Sequence, residues 1–240
     1  MDNFAQPVGS PIFSASRGEL TLSFNGGYLV KSIQGVENDS PRFLAKAVYG
    51  LTSYLELFAV MGAAKINLDL LENPSVNYRD DYHLAFGAGL TLRVFHFKPA
   101  KFYLFLNGQV FRFTGKPAHE DLSVVSNSEV MKRSVLEYDW REVLGSAGSA
   151  KRFGKWRFIA GVQGKIIQRN ETKTTIFSII GNTGTQNIQH GTYKSGLQFN
   201  PILGVEFQLP SRFKLNLEVI GHRSTDFMIN VGISQTGKPS

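Results

Sequence analysis

Apolar and polar residues alternate with a period of two along most of the chain, the pattern of a β-strand with two unlike faces. The clearest run is Tyr82 to Phe97, YHLAFGAGLTLRVFHF. Its even positions carry Tyr82, Leu84, Phe86, Ala88, Leu90, Leu92 and Val94, and its odd positions carry His83, Ala85, Gly87, Gly89, Thr91, Arg93 and Phe95. One face is apolar throughout; the other is small and polar with a cation in it. The same design recurs in ELTLSFNGGYLVK, RFLAKAVY, YLELFAVMGAA, FYLFLNGQVF, VLEYDWREVL, WRFIAGVQGKIIQR, LQFNPILGVEFQL, FKLNLEVIGH and FMINVGI. Together these predict about ten strands. Two of them resist a clean reading: Phe105 and Phe111 fall on the polar face of their strand, and Glu142 falls on the apolar face of its own unless a bulge shifts the phase.

The connections predict how the strands are joined. Tight links fall near 51–54, 96–101, 152–155 and 209–212, whereas longer polar ones fall at 34–40, 72–80, 115–130 and 170–193, with a short fifth at 221–226. Strands running up and down would put the tight turns at one end and the long loops at the other.

The two faces must then be given an inside and an outside. A soluble barrel turns its apolar face inward and needs a charged exterior, but here the second faces are rich in Gly, Ser, Thr, Asn and Gln. The run from Tyr82 to Val94 would be roughly 40 Å long, or about 28 Å along the normal when tilted, close to the thickness of a bilayer hydrocarbon core. Aromatics gather beside the tight turns at Tyr49, Tyr54, Phe97, Phe102, Tyr103, Phe153, Trp156, Phe158, Phe207 and Phe213, as they do at the interfacial girdles of membrane barrels. The expectation is an all-β, closed, antiparallel up-and-down transmembrane β-barrel, with the apolar faces toward lipid. A soluble ligand-binding β-barrel is the competing arrangement.

Composition narrows the chemistry. The 240 residues contain no Cys, which excludes disulfide scaffolds, thiolate metal sites and cysteine nucleophiles. A net charge of +7 could suit nucleic acid, but the cations are dispersed and no nucleic-acid-binding signature is present. The five His residues have no metal-ligand spacing and no phosphate-binding glycine loop occurs, so no metal or cofactor is expected. No apolar run is long enough for a spanning helix, and the N-terminus lacks a signal-peptide pattern; an exported chain would be a mature form.

The segments YGLTSYLELFAVMGAA and FGAGLTLRVF, with their alternating apolar positions and small residues, resemble the small outer-membrane β-barrel proteins of Gram-negative bacteria. The resemblance runs from Gly18 to Gln235 and implies residence in the outer membrane. It also implies short periplasmic turns, longer extracellular loops and both termini in the periplasm. Residues 1–17 would be a periplasmic extension, 18–235 the barrel and 236–240 a tail. Partners would be the lipid bilayer and lipopolysaccharide, with a small solute or an external protein met through the loops. The ending GISQTGKPS departs from the terminal aromatic common in such barrels.

The face opposite lipid then lines the lumen. Its candidate residues are Glu19, Glu56, Arg93, Arg157, Lys165, Glu206, Lys214 and Glu218, with Lys46, Glu137, Asp139 and Arg141 beside them. Charges of both signs in a narrow interior must pair or be hydrated, so the first expectation is an ion-paired plug and the alternative a narrow conduit favouring anions. The role is accordingly structural, adhesive or pore-like. The alternative is a hydrolase. The element GHRSTDF is similar to the His-x-Ser element of outer-membrane lipid A deacylases, which would make His222 the base and Ser224 the nucleophile, with Asp226 nearby, although Thr225 stands where Asn is expected. Asp80, Asp81 and His190 are the corresponding candidates for an omptin-like protease.

Overall fold

The computed structural model describes residues 17–33, 36–70, 77–125, 128–179, 186–210, 213–223 and 226–237. Among these residues there are fourteen strands: β1 (Leu20–Ile33), β2 (Val36–Gly50), β3 (Leu55–Ala64), β4 (Asn67–Leu70), β5 (Asn77–Tyr78), β6 (His83–Phe97), β7 (Phe102–Gly115), β8 (Ala118–Val125), β9 (Ser128–Phe153), β10 (Trp156–Ile179), β11 (Gln186–Lys194), β12 (Gln198–Gln208), β13 (Phe213–Arg223) and β14 (Asp226–Gly237). Ten of them close a ring in the order β1, β14, β13, β12, β10, β9, β7, β6, β3, β2, because β2 pairs back onto β1 from Leu20↔Tyr49 to Ile33↔Val36. Every pairing is antiparallel. Among the described residues, closure leaves the ten ring strands each paired on both sides, the condition for strands to cross a bilayer.

The other four strands prolong the ring at one end: β4 continues β3 along β2, β8 continues β7 along β9, and β11 precedes β12 along β10. Much of what the sequence presents as long loops is therefore strand. The stretch ETKTTIFSI pairs with β9 out to Ile179↔Val130, consistent with its β-branched content, which suits a pleated ladder.

The first and last described residues lie at the end with the tight turns. Gly18 donates its N–H to the carbonyl of Gly50 at 2.7 Å, and Leu20 pairs with Gly237. The turns themselves occupy 51–54, 98–101 and 154–155. Lys101 at φ 49° and Gly154 at φ 57° supply their left-handed positions.

The outer wall is apolar. Phe24, Phe43, Met61, Leu84, Val110, Leu203 and Val231 stand exposed around the ring, and such a continuous band on a closed sheet is the lipid-facing surface of a membrane-spanning barrel. On β6 the register slips between Arg93 and Phe95 opposite β7. This bulge leaves both Val94 and Phe95 exposed and turns the strand end so that Phe95 joins the wall.

On β9 no bulge occurs. The register with both β7 and β10 is unbroken, so Leu136, Tyr138, Trp140, Glu142 and Leu144 are buried together. Glu137 and Arg141 point outward instead of into the lumen, and Asp139 sits with them, bridging Arg112 at 2.7 Å and Arg141 at 2.5 Å. The phase expected for this strand is inverted. Its bulky residues fill the interior, while the wall between Val143 and Ser149 is built from small residues.

Candidate functional site

The interior is built in levels. A polar rung runs across six neighbouring strands through Glu56↔Thr91, Thr91↔Asn107, Asn107↔Ser146, Ser146↔Gln163 and Gln163↔Asn200. All six side chains are buried, and Asn107 donates to the Thr91 hydroxyl at 2.9 Å. Lys46 lies 4.2 Å from the Phe58 ring centroid. Alternation alone produces this rung, since every second residue of each strand faces inward.

Nearer the tight turns, Arg157 pairs with Glu206 at 3.2 Å, and the Arg93 guanidinium lies 5.3 Å from the Tyr103 ring centroid. Glu56, Lys165 and Glu218 are buried, Lys214 is half-buried, and half-buried Glu19 precedes β1, its carbonyl accepting from the Gly50 N–H. Of the candidate lumen residues, direct contact joins Arg157 to Glu206. Glu218 faces the charge of Lys46, although neither of its carboxylate oxygens meets a hydrogen-bond partner among the described residues.

Above the polar rung the interior changes character. Arg42 on β2 reaches Glu142 on β9 at 2.6 Å, both side chains wholly buried. These strands are four apart in a ring of ten, so the pair spans the barrel. Trp140 Nε1 donates to the same Glu142 oxygen at 2.6 Å, and Arg42 Nε donates to the Ser40 hydroxyl at 2.8 Å. The guanidinium lies 5.0 Å and 5.1 Å from the ring centroids of Phe111 and Phe113, and Phe113 packs against Trp140 and Tyr138. Leu29, Leu44, Leu144 and Ile167 complete the cluster. A second strut lies in the same region, where Arg169 on β10 donates to Asn38 on β2 at 2.5 Å.

Alternation places Arg42 on the face of Lys46, so its inward aim was readable from parity. Glu142 was readable only by refusing the bulge, and the aromatic partners only by accepting Phe111 and Phe113 as interior residues. No local pattern announces that residues 42 and 142 meet.

The outer mouth holds a cavity of 440 Å³ lined by Leu68, Tyr78, Leu136, Arg169, Lys173 and Tyr193, among others. Arg169 stacks 4.7 Å from the Tyr193 ring centroid. Burial, with the Glu171 carboxylate beside it, pushes the Tyr193 hydroxyl up from its ordinary pKa. Beside this mouth the buried Asp80 accepts from the Tyr138 hydroxyl at 2.5 Å and lies 2.9 Å from His83 Nε2. His190 instead contacts the Thr172 hydroxyl at 3.1 Å, and Asp81 is exposed. Among the described residues no group of His, Asp and Glu could hold a metal ion. Ser224 lies outside the described residues, as do the side chains of His222 and Asp226.

No family model matches the chain, and no curated protein matches it either. Solved structures do. The transport unit of the autotransporter AIDA-I from Escherichia coli is 8% identical over 99% of this chain and 96% of that one, with a TM-score of 0.45. An outer membrane channel from Pseudomonas putida F1 is 11% identical over 93% and 97%, with a TM-score of 0.41. The outer membrane protease OmpT from Escherichia coli is 8% identical over 91% and 93%, with a TM-score of 0.41.

Proposed function

We propose that this chain is an integral barrel of a bacterial outer membrane, closed to passive diffusion, that acts by contact at its outer mouth. The bilayer and its lipopolysaccharide surround it, and a small solute or an external protein is the partner recognised there. The observation that carries this reading is the Arg42–Glu142 pair spanning the interior amid Phe111, Phe113 and Trp140. An open channel needs a continuous wet path, whereas a cluster of wholly buried aromatics about a paired charge fills the bore. The strands prolonged beyond the lipid-facing band then carry the recognising surface outward.

Planar-bilayer recording tests the closed state. The wild-type barrel should show no unitary conductance. A variant combining Arg42→Ser, Phe113→Ala and Trp140→Ala should conduct. Steady wild-type conductance would overturn the closed reading.

A further inference from the structure

On the outer wall, beside the tight-turn end, the apolar surface is interrupted by a trough. Ser149 faces Leu104 on one side and Ala160 on the other, and Ala160 in turn faces Leu203. Two small side chains thus lie between two rows of large ones. The hollow measures 620 Å³, and Phe102, Phe158 and Val205 also line it. Its small-residue floor continues along β9 through Ala147 to Gly145, where an added Cβ would meet nothing closer than 3.9 Å. Across the strands the hollow reaches from Phe102 on β7 to Leu217 and Val219 on β13, four inter-strand spacings or roughly 20 Å, comparable to an extended acyl chain.

One pleat nearer the turns, Lys151 stands directly below the floor, paired in register with Phe102 and Phe158. Its ammonium lies 4.8 Å from the Phe153 ring centroid, at the level where aromatics mark the membrane interface. The rim around it is cationic: Lys98, Lys101 and Lys155 are exposed on the neighbouring turns, whereas Glu56 and Glu206 at this end are buried inside the barrel.

We infer that this trough is a binding site for one anionic glycerophospholipid, an acyl chain lying over Ser149 and Ala160 and the headgroup phosphate on Lys151. The apolar hollow fits hydrocarbon and the rim fits negative charge. An excess of cations at a membrane surface selects anionic over zwitterionic lipid by the charge it neutralises. The inference rests on the membrane-spanning reading of the barrel.

Native mass spectrometry of the detergent-solubilised barrel, offered equal amounts of phosphatidylglycerol and phosphatidylethanolamine, tests it. The wild type should retain one phosphatidylglycerol about fivefold more often, the discrimination expected of one surface Lys. Lys151→Glu should abolish that preference. Ala160→Phe, an apolar change on an apolar wall, should release both lipids. Equal retention by the wild type, an unaltered preference in Lys151→Glu, or tighter retention of lipopolysaccharide than of phosphatidylglycerol would overturn the site. Failure of the barrel to insert into vesicles, read by protease protection, would instead overturn the membrane-spanning reading.

Discussion

Arg42 and Glu142 are one hundred residues apart in the chain and 2.6 Å apart in the barrel, each with no exposed side-chain surface. Breaking a buried pair leaves a charge stranded, at a cost of about 3–5 kcal/mol, while replacing both partners by apolar residues is often near neutral. Arg42→Met and Glu142→Met should therefore each lower stability by about 3–5 kcal/mol, and the double variant by much less than their sum. Urea unfolding of the folded barrel, followed by tryptophan fluorescence, measures this. Additive losses would mean that the two charges are hydrated separately.

The inverted phase of β9 has a chemical signature. Glu137 and Arg141 are exposed on the outer side and Glu142 is buried. With no native Cys in the chain, Glu137→Cys and Arg141→Cys should react readily with a water-soluble maleimide, whereas Glu142→Cys should react at least about tenfold more slowly, since only an accessible thiolate attacks. Equal labelling at 141 and 142 would contradict the orientation of this strand.

These two relationships mark where the sequence was legible. Strand number, tight turns and the apolar wall follow from a period of two because a closed barrel repeats one local rule around its ring. Within β6 the alternation from Leu84 to Leu92 gave the wall directly. It failed at Phe95, which a one-residue bulge turns onto the wall, and on β9, where Tyr138 and Trp140 are apolar yet interior. Periodicity fixes which residues share a face and says nothing of which face is inside when both carry bulk. The cross-barrel pairs Arg42 to Glu142 and Arg169 to Asn38 depend on register accumulated over several strands, which no local window contains.

Tyr138 anchors the outer mouth through Asp80, whose other oxygen meets His83 Nε2 and accepts the Lys116 N–H at 3.3 Å. Tyr138→Phe removes one hydrogen bond to a charged, buried acceptor. The expected loss is about 1.5–3 kcal/mol, seen as a lower thermal midpoint with barrel content unchanged by circular dichroism. Asp80→Asn should lose a comparable amount, and the two changes together should not add. An unaltered midpoint in both variants would mean that this network adds nothing to the mouth's stability.

Glycines on the two faces of β9 should respond in opposite ways. A Cβ on Gly148 would lie 2.6 Å from the Ala160 carbonyl oxygen, 2.8 Å from the Phe105 ring and 2.9 Å from the Gly161 Cα. Backbone atoms cannot yield as a flexible side chain can, so β9 and β10 would have to move apart. Gly145 faces the lipid side, and its Cβ would meet only the Asn107 carbonyl at 3.9 Å. Gly148→Ala should thus destabilise the barrel by about 1–3 kcal/mol through overpacking. Gly145→Ala should be neutral or stabilise it by about 0.5–1 kcal/mol, because Ala loses less conformational freedom than Gly in a strand. Paired urea titrations decide the matter: if Gly145→Ala proves the more damaging change, the small-residue floor on the lipid side is packed against something the isolated barrel does not contain.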